Sequence, residues 1–442
     1  MLAYYLRLAA QSHRRSPGLS ALMVIAIGLG LSVCVMALAV FRAVSANPIW
    51  WKNDVLYAVT VDAWGAEQPP DDRFLERSSP QLTYRDAVAI ARSDIPTRSI
   101  AMWNSNQVVE SGVPGTKPLN GNVRLTGRDF FAMFDVPFAF GSGWSVAQDQ
   151  AGEPVIVLNR TTNEKLFGGI NSVGRTVRVD GRDMRVVGVL ADWQPTPRFY
   201  DLNTGSFNII EDAFIPFAWT ERLGKNPAGS TQCWKDERID SYPAFLASEC
   251  VWLQSWVELP DAATRERFQS FLDNYAREQK KQGRMVRPLN NRLESVSEWL
   301  ERNEVVSTDN RMLVGLGFAF LAVCLLNVVG LLLAKFLGAA PQAGLRRALG
   351  ARRRDIVQQH LVEVVGIGLA GGVLGLLLSM LGLWGVRAMY AKGFGNLGSV
   401  AHLDWTMVWI ALGLSALAGI LAGLYPALRV GRVQPASYLK TQ

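Results

Sequence analysis

The sequence predicts an α-helical membrane protein with four transmembrane helices and a large external α+β domain. Three observations carry that prediction: four uncharged apolar runs of spanning length, an uneven placement of arginine and lysine at their ends, and about 270 polar residues of mixed strand and helix pattern between the first two runs.

A hydrocarbon core of ~30 Å needs about 20 apolar residues in a helix. The runs 16–41, 312–334, 364–386 and 405–428 meet that requirement and place transmembrane helices at 18–43, 312–335, 361–387 and 405–428. The first run follows Arg14 and Arg15 as a signal peptide would, but it exceeds the usual h-region of about 7–15 residues and reads as an uncleaved anchor. Arg7, Arg14 and Arg15 precede the first span, Lys335 and five arginines lie between the second and third, and Arg429, Arg432 and Lys440 follow the fourth. By the positive-inside rule, segments 1–17, 336–360 and 429–442 are cytoplasmic, while 44–311 and the short loop 388–404 lie outside.

Topology also explains the net charge of +7. Twelve of the 45 basic residues fall in the cytoplasmic segments and two in the small outer loop, leaving 31 in the large domain against 35 of the 38 acids. That domain is acidic, so nucleic acid is not an expected partner. Of the four cysteines, Cys34 and Cys324 sit inside spans, whereas Cys233 and Cys250 share the external domain. An oxidising compartment permits a disulfide between the latter two, although spacing alone does not bring two side chains together.

Within the external domain, NDVLYAVTVDAW reads as a strand, LTYRDAVAIARS as a helix after the loop 69–80, and TRSIAMWNSNQVVES as a second strand. The order returns later as VWLQSWVEL, an amphipathic helix over 261–281, and a strand in RMVRPL around Met285. Between these two β-α-β units lies a strand-rich insertion, in which TVRVDGRDMRVVGVL forms a hairpin turning at Asp180-Gly181. An elongated structure of two lobes is expected: 53–120 with 251–292, and the insertion 121–250. The stretch 293–311 reads as a helical stalk entering the second span, with Trp299 and Leu300 on its packed side.

Several chemistries have no motif to support them. There is no G-x-x-x-x-G-K-[ST] loop, no G-x-S-x-G elbow and no H-E-x-x-H pair. The three histidines, His13, His360 and His402, stand in separate segments, and no metal site is expected. The spans read as free of charge, which argues against an ion path through the bundle. Asn327 is the strongly polar residue deep in the second span, where a hydrogen bond to another helix is the expected role and lining a substrate route the alternative. Gly368 with Gly372, and Gly371 with Gly375, give two G-x-x-x-G spacings that favour close packing of the third span.

One polar stretch is unusually ordered. GLRRALGARRRDI, residues 344–356, carries five arginines in a short loop. As a single helix of about 18 Å, it would place Leu345, Ala348, Leu349 and Ile356 on one face and Arg346, Arg347, Arg353 and Arg354 on the other. Arg352 would then fall within the apolar face, so that face must meet something polar. Anchoring to anionic lipid accounts for the charge, and docking of a cytoplasmic partner accounts for the pattern.

GLRRALGARRRDIVQQHLVEVVGIGLAGGVLGLLL resembles the FtsX-like permease domain of MacB-type ABC transporters, and AGLYPALRVGRVQPASYLK resembles that domain's C-terminal end. GRDFFAMFDVPFAFGSGW and EPVIVLNRTTNEKLFGGINSVGRTVRVDGRDMRVVGVLAD resemble the MacB periplasmic core. The resemblance implies a multi-pass permease of the bacterial inner membrane working by mechanotransmission, its large domain periplasmic and its lobes of porter and Sabre type. It implies a second permease as homodimer or heterodimer partner, and separate ABC ATPase subunits that hydrolyse ATP, no cofactor being bound by this chain. A periplasmic adaptor and a TolC-like outer-membrane channel complete the expected assembly.

The implied cargo is amphipathic drugs or peptides, with lipoprotein release of the LolC/LolE kind or FtsX-like control of a periplasmic enzyme as alternatives. The implied ATPase-coupling helix is Gly344, Leu345, Arg346, Arg347, Ala348, Leu349, Gly350, Arg352, Arg353 and Ile356. Where family members often carry an acidic residue before the helix glycine, this chain has Pro341, Gln342 and Ala343, as expected for one half of a heterodimer whose partner keeps the acid. The absence of a nucleotide-binding loop likewise leads to the expectation that the chain is not itself an enzyme.

Overall fold

The computed structural model describes residues 2–65, 80–208, 210–305, 308–390 and 405–430. They divide into two compact units, one of residues 46–305 and one of the flanking segments. The loop 66–79, the outer loop 391–404 with His402, positions 306–307 and the tail 431–442 lie outside the described residues.

The chain opens with helix α1 (Leu2–Arg15), followed directly by α2 (Pro17–Ser45), the first span. In the middle unit, ten strands form one mixed sheet: β1 (Leu56–Thr60), β2 (Arg98–Glu110), β3 (Leu119–Thr126), β4 (Phe138–Gly141), β5 (Val155–Leu158), β6 (Thr176–Val179), β7 (Arg182–Leu190), β8 (Ala213–Pro216), β9 (Gln254–Glu258) and β10 (Arg292–Ser295). The path through the sheet runs β10-β1-β9-β2-β3-β8-β5-β7-β4, with β6 pairing β2 and β7.

Among the described residues, eight α-helices decorate the sheet: α3 (Tyr84–Ala91), α4 (Phe130–Met133), α5 (Val146–Ala151), α6 (Arg160–Phe167), α7 (Thr220–Leu223), α8 (Tyr242–Ala247), α9 (Ala262–Lys281) and α10 (Val296–Arg302). Their starts follow from capping chemistry. Thr83, Asn159 and Asp261 each accept a backbone N–H from the first turn of α3, α6 and α9, and Ser145 and Ser295 form capping boxes with Gln148 and Glu298.

Alternation along the strands makes two cores. Tyr57 and Val59 share a cluster with Ala87 and Ile90 of α3 and Phe268 and Leu272 of α9. Leu56 and Ala58 join Phe130 of α4 and Trp299 and Leu300 of α10 in the other.

The two expected lobes share this one sheet. Strand β2 pairs with β9 over Arg98–Met102, with β3 over Met102–Val109 and with β6 at Val109 and Glu110. The β6–β7 hairpin turns at Asp180 and Gly181 with φ of +47° and +79°, a two-residue turn in which Gly181 is free of steric cost. Asp180 also accepts the Val108 N–H at 2.9 Å, locking the hairpin to β2. Cys233 and Cys250 are joined by a disulfide beside the Gln232–Val251 bridge. Closing a loop of 17 residues constrains the unfolded chain by about 3 kcal/mol.

Two expected elements differ. RMVRPL forms no strand, because Gly283 and Met285 have φ of +80° and +47°; the closing strand is β10, seven residues further on. The stalk over 293–311 is not one helix either. Its first residues belong to β10, α10 ends at Arg302, and Glu304 turns at φ +51° before the next helix begins at Thr308.

Beneath β3 lies a buried charge cluster. Arg124 pairs with Glu211 and, at 2.5 Å, with Asp201; Arg198 meets Glu211 at 3.0 Å, and the Tyr200 hydroxyl donates to Glu211 at 2.9 Å. Burial alone would raise both carboxyls, but Arg124 and Arg198 outweigh it and hold Glu211 and Asp201 below their ordinary values.

The remaining spans are α11 (Thr308–Gly338), the third span within α13 (Arg353–Tyr390), and the last helix Trp405–Val430; α12 (Ala340–Ala348) lies between α11 and α13. All four spanning helices are long and apolar enough to cross a membrane. The third begins at Arg353 instead of the expected 361 and continues without a break.

Its glycines face two neighbours. A Cβ on Gly371 would lie 2.7 Å from Ile27 of α2, and one on Gly368 would lie 2.8 Å from the Ser415 carbonyl of the last span. The bundle core gathers Met23 and Ile27, Val328 and Phe336, Val364 and Ile367, and Ala422.

Arg124→Met is expected to destabilise the middle unit by about 3–5 kcal/mol, because it strands buried carboxylates. In the wild type, the depressed carboxyls contribute stability above pH 4.5 that is lost as pH falls through their folded values. In the variant burial dominates, so its deficit relative to wild type shrinks on acidification; urea unfolding of the full chain in detergent at pH 7 and pH 4.5 measures both.

Candidate functional site

Of the charged residues that border apolar runs in the sequence, two are buried inside spanning helices: Lys335 near the end of α11 and Glu363 in α13. The expectation of charge-free spans is therefore corrected. The uncharged runs stop one residue short of each, but the helices continue through both. Their side chains are 5% and 1% exposed and meet at 2.7 Å. Neither charge could be buried alone at tolerable cost.

Helix α1, unanticipated in the sequence, brings the rest of the site. Ser12 donates to Glu363 Oε1 at 2.6 Å, Lys335 Nζ donates to Ser20 at 2.9 Å, and His13 Nδ1 lies 3.3 Å from Lys335 Nζ. Burial, and then the Lys335 ammonium, hold His13 below the usual histidine range, so at pH 7 it is neutral and accepts at Nδ1. His360 packs its ring on Phe336 with centroids 4.1 Å apart and places Nδ1 3.5 Å from Glu363. Two histidines expected to stand apart thus converge on one ion pair.

The expected coupling helix 344–356 is two elements. Helix α12 ends at Ala348, Gly350 adopts φ +100°, and α13 starts at Arg353, its first turn capped as Asp355 accepts the Arg352 N–H at 2.9 Å. A residue with φ above zero ends a helix, and glycine does so without strain. The expected common face therefore divides. Ile356 is buried in the bundle core, whereas Leu345 and Leu349 stand 56% and 80% exposed, one turn apart. Gly344 is buried; Arg346 is half-buried and donates to Gln359 at 2.7 Å. Arg347 is half-buried, while Ala348, Gly350, Arg352 and Arg353 are exposed. Arg352 is the cap of α13 and lies in no apolar face, which removes the need for a polar partner there.

What this end of the bundle presents is an exposed apolar pair in an arginine-rich stretch, on a turn whose flanking helices are joined by the buried pair. Among the described residues no group of His, Cys, Asp and Glu is arranged to hold a metal.

Residues 20–275 match the family model of the MacB-like periplasmic core domain, more than half of the 442-residue chain. The chain belongs to the MacB-type permease family. Residues 314–435 of this MacB-type chain also match the FtsX-like permease C-terminal model, which contains Lys335, α12 and Glu363. It is similar to the macrolide export ATP-binding/permease protein MacB of Bdellovibrio bacteriovorus, with 25% identity over 68% of this chain and 41% of that protein. Similarity to MacB of Chlorobium luteolum is 22% identity over 81% and 48% of the two chains.

The pyoverdine export ATP-binding/permease protein PvdT of Pseudomonas syringae pv. tomato is 25% identical over 71% of this chain and 42% of its own. The chain thus spans less than half the length of these curated relatives. The crystallised periplasmic region of MacB from Actinobacillus actinomycetemcomitans aligns at 14% identity and a TM-score of 0.37, covering 60% of this chain and 98% of that one.

Lys335→Met leaves Glu363 buried without its cation and is expected to destabilise the MacB-type bundle by about 3–5 kcal/mol, with the double variant Lys335→Met/Glu363→Leu recovering most of the loss. Thermal unfolding in detergent, compared across the single and double variants, checks both.

Proposed function

We propose that this chain is the membrane permease of an ABC exporter, converting movement of separate ATPase subunits into movement of its periplasmic domain. The observation that carries this reading is the exposed pair of Leu345 on α12 and Leu349 just beyond its end, in a turn whose flanking helices meet through Lys335 and Glu363. An apolar pair framed by arginines suits a protein partner with an acidic-rimmed groove. The arginine-rich α1–α12 end faces the cytoplasm of an inner-membrane protein, and the MacB-like domain faces the periplasm. ATP is hydrolysed by the partner.

The names of the relatives, macrolide and pyoverdine export, support a role in export of amphipathic cargo; an adaptor and an outer-membrane channel complete the proposed route. Leu345→Asp/Leu349→Asp, at exposed positions, is expected to lower co-purification of the ATPase at least about tenfold, as loss of two apolar anchors implies, with the melting temperature unchanged. Undiminished co-purification would remove α12 from the interface.

The second permease packs against α11. Asn327 is exposed on that helix and has no hydrogen-bond partner among the described residues. A primary amide facing hydrocarbon is unfavourable, and pairing with a second permease relieves it. Tandem purification with two tags reads the outcome: Asn327→Leu is expected to reduce recovery of the second tag, and equal recovery would place the dimer contact elsewhere.

A further inference from the structure

We propose that the cleft between α1, α12 and α13 binds the head group of an anionic phospholipid. The cleft encloses about 360 Å³ at the arginine-rich end of the bundle. At its mouth stand Arg15 and Arg346. Arg15 Nη1 donates to Gln342 Oε1 at 2.9 Å and Arg346 Nη1 donates to Gln359 Oε1 at 2.7 Å. Each guanidinium has five N–H donors, and among the described residues neither has a carboxylate partner. The neutral amides therefore orient both cations without cancelling them. Lys335, on the floor, is neutralised by Glu363. The cleft carries two uncompensated positive charges in a geometry suited to the oxygens of a phosphate ester.

The walls decide what kind of phosphate enters. Leu8 of α1 and Leu19 of α2 line the same cleft, together with Ile356 of α13. A free phosphate has nothing to place against them, whereas a phospholipid has its glycerol and first acyl carbons. Basic clefts between membrane helices take anionic lipid head groups on these terms. The occupied cleft would join α1 to the α12 turn through the lipid, adding to the direct Arg15–Gln342 bond. The inference stands independently of what the permease exports.

The test uses the full chain purified in detergent and reconstituted in nanodiscs of phosphatidylcholine mixed with phosphatidylglycerol, bound lipid being identified by native mass spectrometry. Wild type is expected to retain phosphatidylglycerol over phosphatidylcholine. Arg15→Gln/Arg346→Gln is expected to weaken that retention about tenfold or more, while Arg7→Gln/Arg14→Gln, on α1 but outside the cleft, leaves it unchanged. Equal loss in both pairs would mean diffuse surface charge and overturn the site, as would undiminished retention in the first pair. Inorganic phosphate is the competing probe: displacement of the lipid by phosphate, with Leu8→Asn/Leu19→Asn retaining wild-type affinity, would show an anion site indifferent to lipid. Melting temperatures of all variants separate lost binding from lost folding.

Discussion

The pairing of Lys335 with Glu363 is the constraint on which the helical unit depends. Two opposite charges, each almost inaccessible to water, lie on helices separated in sequence by the arginine-rich turn. Their attraction sets the spacing of α11 and α13 at that end, and the carboxylate's remaining valence draws in Ser12 of α1 while the ammonium binds Ser20 of α2. Four helices thus meet at one electrostatic node. Buried pairs add little net stability against apolar replacements, but they penalise misalignment heavily. A node of this kind specifies register, which a smooth apolar bundle would leave loosely defined.

The middle unit solves a comparable problem with backbone. Strand β2 is 13 residues long and touches the flanking strand β9 along one part and the inserted strands β3 and β6 along the rest. An insertion of more than a hundred residues is thereby made continuous with the domain that it interrupts. Beneath the adjoining strand, Arg124 and Arg198 share the carboxylates of Asp201 and Glu211, so the junction is specified by charge as well as by ladder.

Much of this was legible in the sequence. Four spans, the α9 amphipathic pattern and the Asp180-Gly181 hairpin are local signals of period and turn chemistry, and such signals survive folding. The α12 break was not read, because helical-wheel periodicity continues through Gly350 while backbone conformation does not. The same applies at Met285 and Glu304, non-glycine residues with positive φ that no propensity announces. The polar node was missed for a different reason. Lys335 and Glu363 each stand beside an apolar run and look like ordinary boundary residues; only the pairing of distant segments shows them to be buried. LAYYLRLAAQSHRR carried an amphipathic signal for α1 that its basic end obscured.

The small-residue faces of α13 bear on how the bundle can move. Gly371 and Gly375 seat α2 on one side, and Gly368 and Gly372 seat the last span on another. With backbone nearly touching backbone at two azimuths, rotation of α13 about its own axis would drive a full turn of side chains into both neighbours. Sliding along its length meets the same interlocked ridges. Close packing at both azimuths therefore opposes independent movement of α13 and ties α2, α13 and the last span into one packed block.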